Sequence, residues 1–142
     1  MPNTEPDLLQ LIALTAAFNE QGEVLLLKRP PDVHCGGLWG FPGGKVSVDE
    51  NPIKGAVREF EEETGLSGKL WRHLGKSRYA YDDRMLFYFI YGCRCDDVSG
   101  LKAESEYAWV SLDALEDYPM PEGNATFLHL IRDAAHFYIK KT

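Results

Sequence analysis

Apolar runs of strand length, interleaved with two amphipathic helices, mark this 142-residue chain as one α/β or α+β domain. Three observations carry that expectation. Two apolar runs flank Asn19-Glu20-Gln21-Gly22, a capped helix opens at Pro52, and aromatic-rich strands precede a closing helix.

In chain order, Leu11 to Phe18 and Val24 to Lys28 read as the strands of a hairpin around Asn19-Gly22. From Pro30 to Gly44, prolines, two Gly-Gly pairs and Phe41-Pro42 predict a long irregular segment, a length usually kept for function. Asn51 followed by Pro52 is a helix start and Gly65 a matching stop, giving one helix of about thirteen residues. Tyr79 to Tyr91 reads as two strands around Asp82-Asp83-Arg84, and Tyr107 to Val110 as another. Asn124 is expected to cap a final helix whose buried stripe is Phe127, Leu130, Ile131, Ala134 and Tyr138. No repeat or linker divides the chain, so residues 1–142 form a single domain, with 1–8 expected to be flexible.

Composition narrows the partners. With 15 Lys and Arg against 22 Asp and Glu, the formal charge is −7, which argues against nucleic acid polymers because their binding needs clustered cations. The longest apolar stretch, Leu11 to Phe18, falls far short of the roughly 20 residues that cross a bilayer. No basic residue precedes it, so neither a membrane span nor a signal peptide is expected. Three cysteines, Cys35, Cys93 and Cys95, cannot all pair within one chain, and together these features predict a cytoplasmic protein. Cys93 and Cys95 alternate along a strand and read as ordinary buried thiols rather than a metal pair.

The helix from Pro52 carries charges that its own geometry disfavours. Ile53, Ala56, Val57, Phe60 and Thr64 make its apolar face. Glu62 lies roughly 60° to one side of Glu59 and Glu63 roughly 40° to the other, so three carboxylates share one stripe. Like charges at i,i+4 repel by about 0.2–0.5 kcal/mol, and a helix C-terminus disfavours anions by about 0.3–1 kcal/mol. A solvated acidic face would normally explain such glutamates, but residues 58–63 set only Arg58 against four of them. Magnesium takes a few carboxylates together with water and phosphate oxygens, so this stripe points to a magnesium site whose partner is a phosphate chain.

Gly44-Lys45-Val46-Ser47-Val48-Asp49-Glu50, seven further residues, and Arg58-Glu59-Phe60-Glu61-Glu62-Glu63-Thr64-Gly65-Leu66 match the pattern G-x5-E-x7-R-E-U-x-E-E-x-G-U, with U a bulky apolar residue. The chain thereby resembles the Nudix hydrolases. Leu38-Trp39-Gly40-Phe41-Pro42-Gly43-Gly44-Lys45 resembles the segment that precedes this box in MutT-type members, and residues 10–139 can be read on that template. The resemblance implies an α/β/α sandwich around a mixed sheet and hydrolysis of a nucleoside diphosphate linked to another moiety. It implies Glu59, Glu62, Glu63 and the Gly43 carbonyl as ligands of Mg2+ or Mn2+, Arg58 as the group that holds a glutamate in place, and Glu50 as support. Glu104 and Glu106, before Trp109, are the candidates for general base, each with a solvated loop carboxylate as the alternative.

For the substrate, the resemblance implies Arg29 as a phosphate contact and Asn124 as the reader of the base, although a helix cap would also account for Asn124. Arg84 is either a nucleotide contact or a solvated hairpin tip. Trp39, Phe41 and Tyr81 are candidates to stack on a base or to fill the core. His34 could approach phosphate or stay a neutral loop residue, and His73, His129 and His136 form no cluster. The leading expectation is a MutT-like pyrophosphohydrolase of (deoxy)nucleoside triphosphates, damaged purines competing with pyrimidines, in a monomer or homodimer. The alternatives are hydrolysis of dinucleotide polyphosphates or nucleotide sugars, or a nucleotide-binding regulator without catalysis.

Overall fold

The computed structural model describes residues 8–33 and 35–139; His34 and the chain ends lie outside them. Strand β1, Leu8–Phe18, turns through Asn19 into β2, Val24–Lys28. The Asn19 side chain fixes that turn by accepting from the backbone N–H groups of Gln21, at 3.0 Å, and Glu23, at 2.9 Å. Leu8, expected in a flexible end over 1–8, belongs to β1, and residues 1–7 of that expectation lie outside the described residues. Between Pro30 and Gly44 the chain is less irregular than expected: it holds β3, Trp39–Gly40, and opens β4, Gly43–Val46.

Helix α1 runs Pro52–Thr64, as its caps predict. The Asn51 side chain accepts from the Ile53 N–H, and Gly65, at φ 71°, donates its N–H to the Glu61 carbonyl. Strands β5, Lys69–Tyr81, and β6, Arg84–Arg94, pair across a tip of only Asp82 and Asp83. After β7, Tyr107–Val110, two 3-10 segments, Leu112–Asp117 and Glu122–Thr126, lead into α2, Leu128–Tyr138. Asn124 is therefore not the cap of the last helix. It lies inside a 3-10 segment, and α2 starts behind Phe127, which has no side-chain capping bond and is buried against Phe41 and Tyr88.

The strands form one mixed sheet in the order β3-β2-β1-β6-β5, with β4 added to β1 and β7 to β2; β1 and β6 are parallel and the other pairs antiparallel. Successive strand residues face opposite layers. Leu14, Phe18, Val24, Leu26, Tyr88 and Ile90 meet Phe127, Ile131 and Tyr138 at α2, whereas Ala17, Leu25, Leu27 and Cys93 meet Phe60 at α1. The result is the α/β/α sandwich. Cys93 and Cys95 are buried free thiols on the α1 side, as their alternation predicts.

The sheet does not stay continuous along β1. β1 pairs with β4 from Leu11 to Leu14, yet meets β2 only at Phe18–Val24. The sheet forks between these points, at Gly43, and the last turn of α1 lies over the fork.

Candidate active site

Two clefts open at the fork and share Arg29, Pro30, Gly40, Phe41 and Gly43. The first, about 370 Å³, is walled by Ile12, Leu14, Phe41, Leu86 and Tyr88, with Asn124, Arg84 and Tyr81 as polar groups. The second, about 400 Å³, is lined by Glu62, Glu63, Glu104, Lys102 and Ser105. The first cleft is mostly apolar with two side-chain amides, Gln10 and Asn124; the second gathers carboxylates beside three cations, Lys28, Arg29 and Lys102.

The acidic stripe of α1 is arranged by short contacts. Gly43 donates its N–H to Glu63 Oε1 at 2.8 Å. Gly44 admits Glu59, because a Cβ there would stand 3.1 Å from the Glu59 carboxylate. The Arg58 guanidinium lies 3.1 Å from Glu50, 3.2 Å from Glu59 and 3.6 Å from Glu62. One cation thus serves three carboxylates, where the sequence expectation was one. Burial, followed by the nearby charges of Glu59 and Glu62, pushes the Glu63 carboxyl up to about 7, against the pull of the Gly43 N–H and Arg29. Removal from water is the largest cause, so a cation beside this acid would favour its charged form.

Among the described residues, no three carboxylate, thiol or imidazole groups converge as a finished cage for a metal. The reason is visible in the contacts: Arg58 draws Glu59 and Glu62 while Gly43 holds Glu63. The donor set nevertheless fits a hard divalent ion, since Glu62 and Glu63 at the acidic cleft and Glu59 beside Gly44 offer only oxygens from one stripe.

The structure separates the other candidates. Glu104 lines the acidic cleft with Glu62 and Glu63, whereas Glu106 stands outside its lining and pairs with Lys28 at 3.8 Å. Arg29 borders both clefts. Arg84 reaches the first cleft while held by both oxygens of Asp83, at 2.8 and 3.2 Å. Asn124 is buried and lines the same cleft. Phe41 is both a wall of the clefts and a core residue, edge-on to Phe127. Trp39 lines neither; it packs edge-on against Tyr118, with the Lys28 ammonium 6.0 Å from its ring. The Tyr81 hydroxyl, a stacking candidate on sequence, accepts from the Gly123 N–H at 2.7 Å. Sequence reasoning missed Gln10, Lys45, Tyr88 and Lys102. The alternation Leu86, Tyr88, Ile90 along β6 was a usable signal for Tyr88; Lys102 sits in a stretch without periodicity and gave none.

Comparison with known proteins agrees with this geometry. The family model described as NUDIX domain matches residues 8–131. The 8-oxo-dGTP diphosphatase of Escherichia coli (strain K12) is 30% identical over 114 residues, 80% of this chain and 88% of that protein. The CTP pyrophosphohydrolase of the same organism is 29% identical over 124 residues, 84% and 90% of the two chains. The crystal structure of a MutT protein from Methanosarcina mazei Go1 superposes with a TM-score of 0.75 at 26% identity, covering 96% of this chain and 98% of that one.

Proposed function

We propose, from the premise that this chain belongs to the NUDIX family, that it cleaves (deoxy)nucleoside triphosphates to the monophosphate and pyrophosphate with magnesium. It is a MutT-like hydrolase of phosphoric anhydride bonds that acts on nucleotides and uses a divalent metal. The finer reading rests on one observation: an apolar cleft that holds the Asn124 amide and an acidic cleft with three cations meet at Gly43, Phe41 and Arg29. A base and sugar fit the first and a polyphosphate the second.

Glu59, Glu62, Glu63 and the Gly43 carbonyl would hold the metal, which when bound lowers the pKa of water and neutralises charge developing on the phosphates. Arg58 keeps Glu59 and Glu62 oriented, with Glu50 on its other side. Arg29, at the meeting of the clefts, steers the phosphate chain. Glu104 accepts the proton of the attacking water as its oxygen bonds to phosphorus and the α,β anhydride bond breaks toward the leaving oxygen. Asn124 offers a donor and an acceptor to the base edge. An oxidised purine or a pyrimidine are the two candidate bases, the relatives being named for 8-oxo-dGTP and for CTP.

The deciding experiment is a magnesium-dependent screen of canonical and oxidised nucleoside triphosphates, nucleotide sugars and dinucleotide polyphosphates, with products identified. A preferred triphosphate yielding pyrophosphate supports the reading. Turnover confined to sugars or dinucleotides, or binding without turnover, rejects it.

A further inference from the structure

Asn124 sits on a segment that cannot place itself. Glu122–Thr126 is a five-residue 3-10 turn without a side-chain cap, and such turns are short because their hydrogen bonds are poorly aligned. Its position comes from β5. Ser77, Tyr79 and Tyr81, alternate residues and hence one face of that strand, each present a hydroxyl to it. Ser77 shares a hydrogen bond with the Thr126 hydroxyl at 2.8 Å, Tyr79 donates to Glu122 at 2.6 Å, and Tyr81 accepts from the Gly123 N–H at 2.7 Å. The Thr126 hydroxyl in turn donates to the Gly123 carbonyl at 2.6 Å, so the residue before Asn124 is held at both its N–H and its C=O. Packing closes the arrangement: a Cβ on Gly123 would stand 2.3 Å from the Tyr88 hydroxyl and 3.1 Å from that of Tyr81.

We infer that this ladder of three hydroxyls on β5 is the device that sets base selectivity, by fixing the height and angle of Asn124 in the apolar cleft; the inference rests on that cleft being the base site. Ser77, Tyr79 and Tyr81 are positioning residues. A bidentate contact to a base edge tolerates little displacement, so a loosened turn keeps the amide but loses its aim. Ser77 and Tyr79 are outside the lining of the cleft, which separates positioning from direct contact with substrate.

The test uses Ser77→Ala, Tyr79→Phe and their double variant, each alone and combined with Asn124→Ala, with kcat and KM measured for the preferred triphosphate and for a disfavoured base. The expected result is a fall of about fivefold or more in the ratio of kcat/KM values, carried by KM for the preferred base, and no further fall in the Asn124→Ala background. Amide exchange at Gly123 in nucleotide-free protein supplies the second readout and should quicken at least tenfold in Tyr81→Phe. An unchanged ratio, an equal loss for all bases, or an effect that persists without Asn124 overturns the inference. So does unchanged exchange at Gly123, which would refute the ladder while leaving the substrate reading intact. Wild-type protein inert toward every triphosphate refutes the substrate reading and the selectivity together, with the exchange still judging the ladder.

Discussion

Gly43 donates its N–H to Glu63 Oε1 at 2.8 Å, joining the last turn of α1 to the strand at which the sheet forks. That bond makes a backbone amide the partner of the carboxylate of the stripe that burial perturbs. At Gly43 the backbone has φ 150°, and a Cβ would meet the Ala13 carbonyl at 2.1 Å, a backbone atom that cannot yield. At Gly44 the obstacle is the flexible end of Glu59, at 3.1 Å. Gly43→Ala should therefore destabilise the fold by about 2–4 kcal/mol, combining strain with a clash. Gly44→Ala should fold with under about 1 kcal/mol of loss and bind magnesium at least tenfold more weakly, since only Glu59 moves. Chemical denaturation and magnesium titration of the two variants measure the contrast.

The Glu63 carboxyl, at about 7 rather than 4.5, gives the metal-free protein an unusual pH dependence. Its folded-state value is raised, so the native state holds a proton that the unfolded chain has released. The contribution to stability is complete below pH 4.5 and is lost as pH rises through 7. Metal competes with that proton, so the rise in Tm produced by magnesium should grow between pH 6 and 8. Thermal melts with and without magnesium should show both trends in wild type and neither in Glu63→Gln.

Glu62 is the ligand candidate whose removal should spare the fold, because its side chain is 62% exposed and its ion pair with Arg58 is long, at 3.6 Å. Glu62→Gln should retain the wild-type Tm within a few degrees while magnesium-dependent kcat falls by about 100-fold or more, roughly 3 kcal/mol of barrier. Turnover within threefold of wild type would remove Glu62 from the metal site.

Arg58 separates stability from function in another way. It is half-exposed among Glu50, Glu59 and Glu62, and exposed ion pairs contribute about 0.2–1 kcal/mol each. Arg58→Ala should cost little stability and about 10- to 100-fold in kcat, the scale on which partners of metal ligands act. A melt and a steady-state assay at saturating magnesium resolve the two.

Much of this molecule was legible in its sequence because the signals were local. Asn51, Pro52 and Gly65 bound α1 to the residue, and two glutamates of its acidic stripe, Glu62 and Glu63, line the acidic cleft. The start of β5 was missed for a physical reason. Lys69, Arg72, His73, Lys76 and Arg78 make it a charged edge strand, and register shifts at 69–72 and 73–75 break the alternation that marks a strand. Asn124 misled because Asn before an amphipathic stripe is a sound cap, while its actual position depends on Tyr81 and Ser77, more than forty residues away. Trp39 and Tyr81 could not be sorted either, since whether an aromatic ring walls a cleft or fills a layer is decided by tertiary packing.

The same limit applied to the two loop glutamates, and here the structure yields a sharp expectation. Glu104 and Glu106 both precede β7, but they occupy different surroundings. Glu104 lines the acidic cleft together with Glu62 and Glu63, whereas Glu106 is bound to the edge of β2 through the Lys28 ammonium, and its backbone carbonyl accepts from the Lys28 N–H at 3.0 Å. A general base must reach the proton it takes, directly or through one water, and of the two only Glu104 lines the acidic cleft, so the proposed role falls to it. Glu104→Gln should lower kcat by about 10²- to 10⁴-fold with KM within a few-fold of wild type, the pattern of an interaction made only in the transition state. It should also remove the acidic limb of the pH–rate profile that reports the base. Glu106→Gln should keep kcat within about twofold, because Lys28 and Glu106 form an exposed pair. The opposite result, with Glu106→Gln inactive and Glu104→Gln active, would transfer the role to Glu106 and require the loop before β7 to rearrange when nucleotide binds.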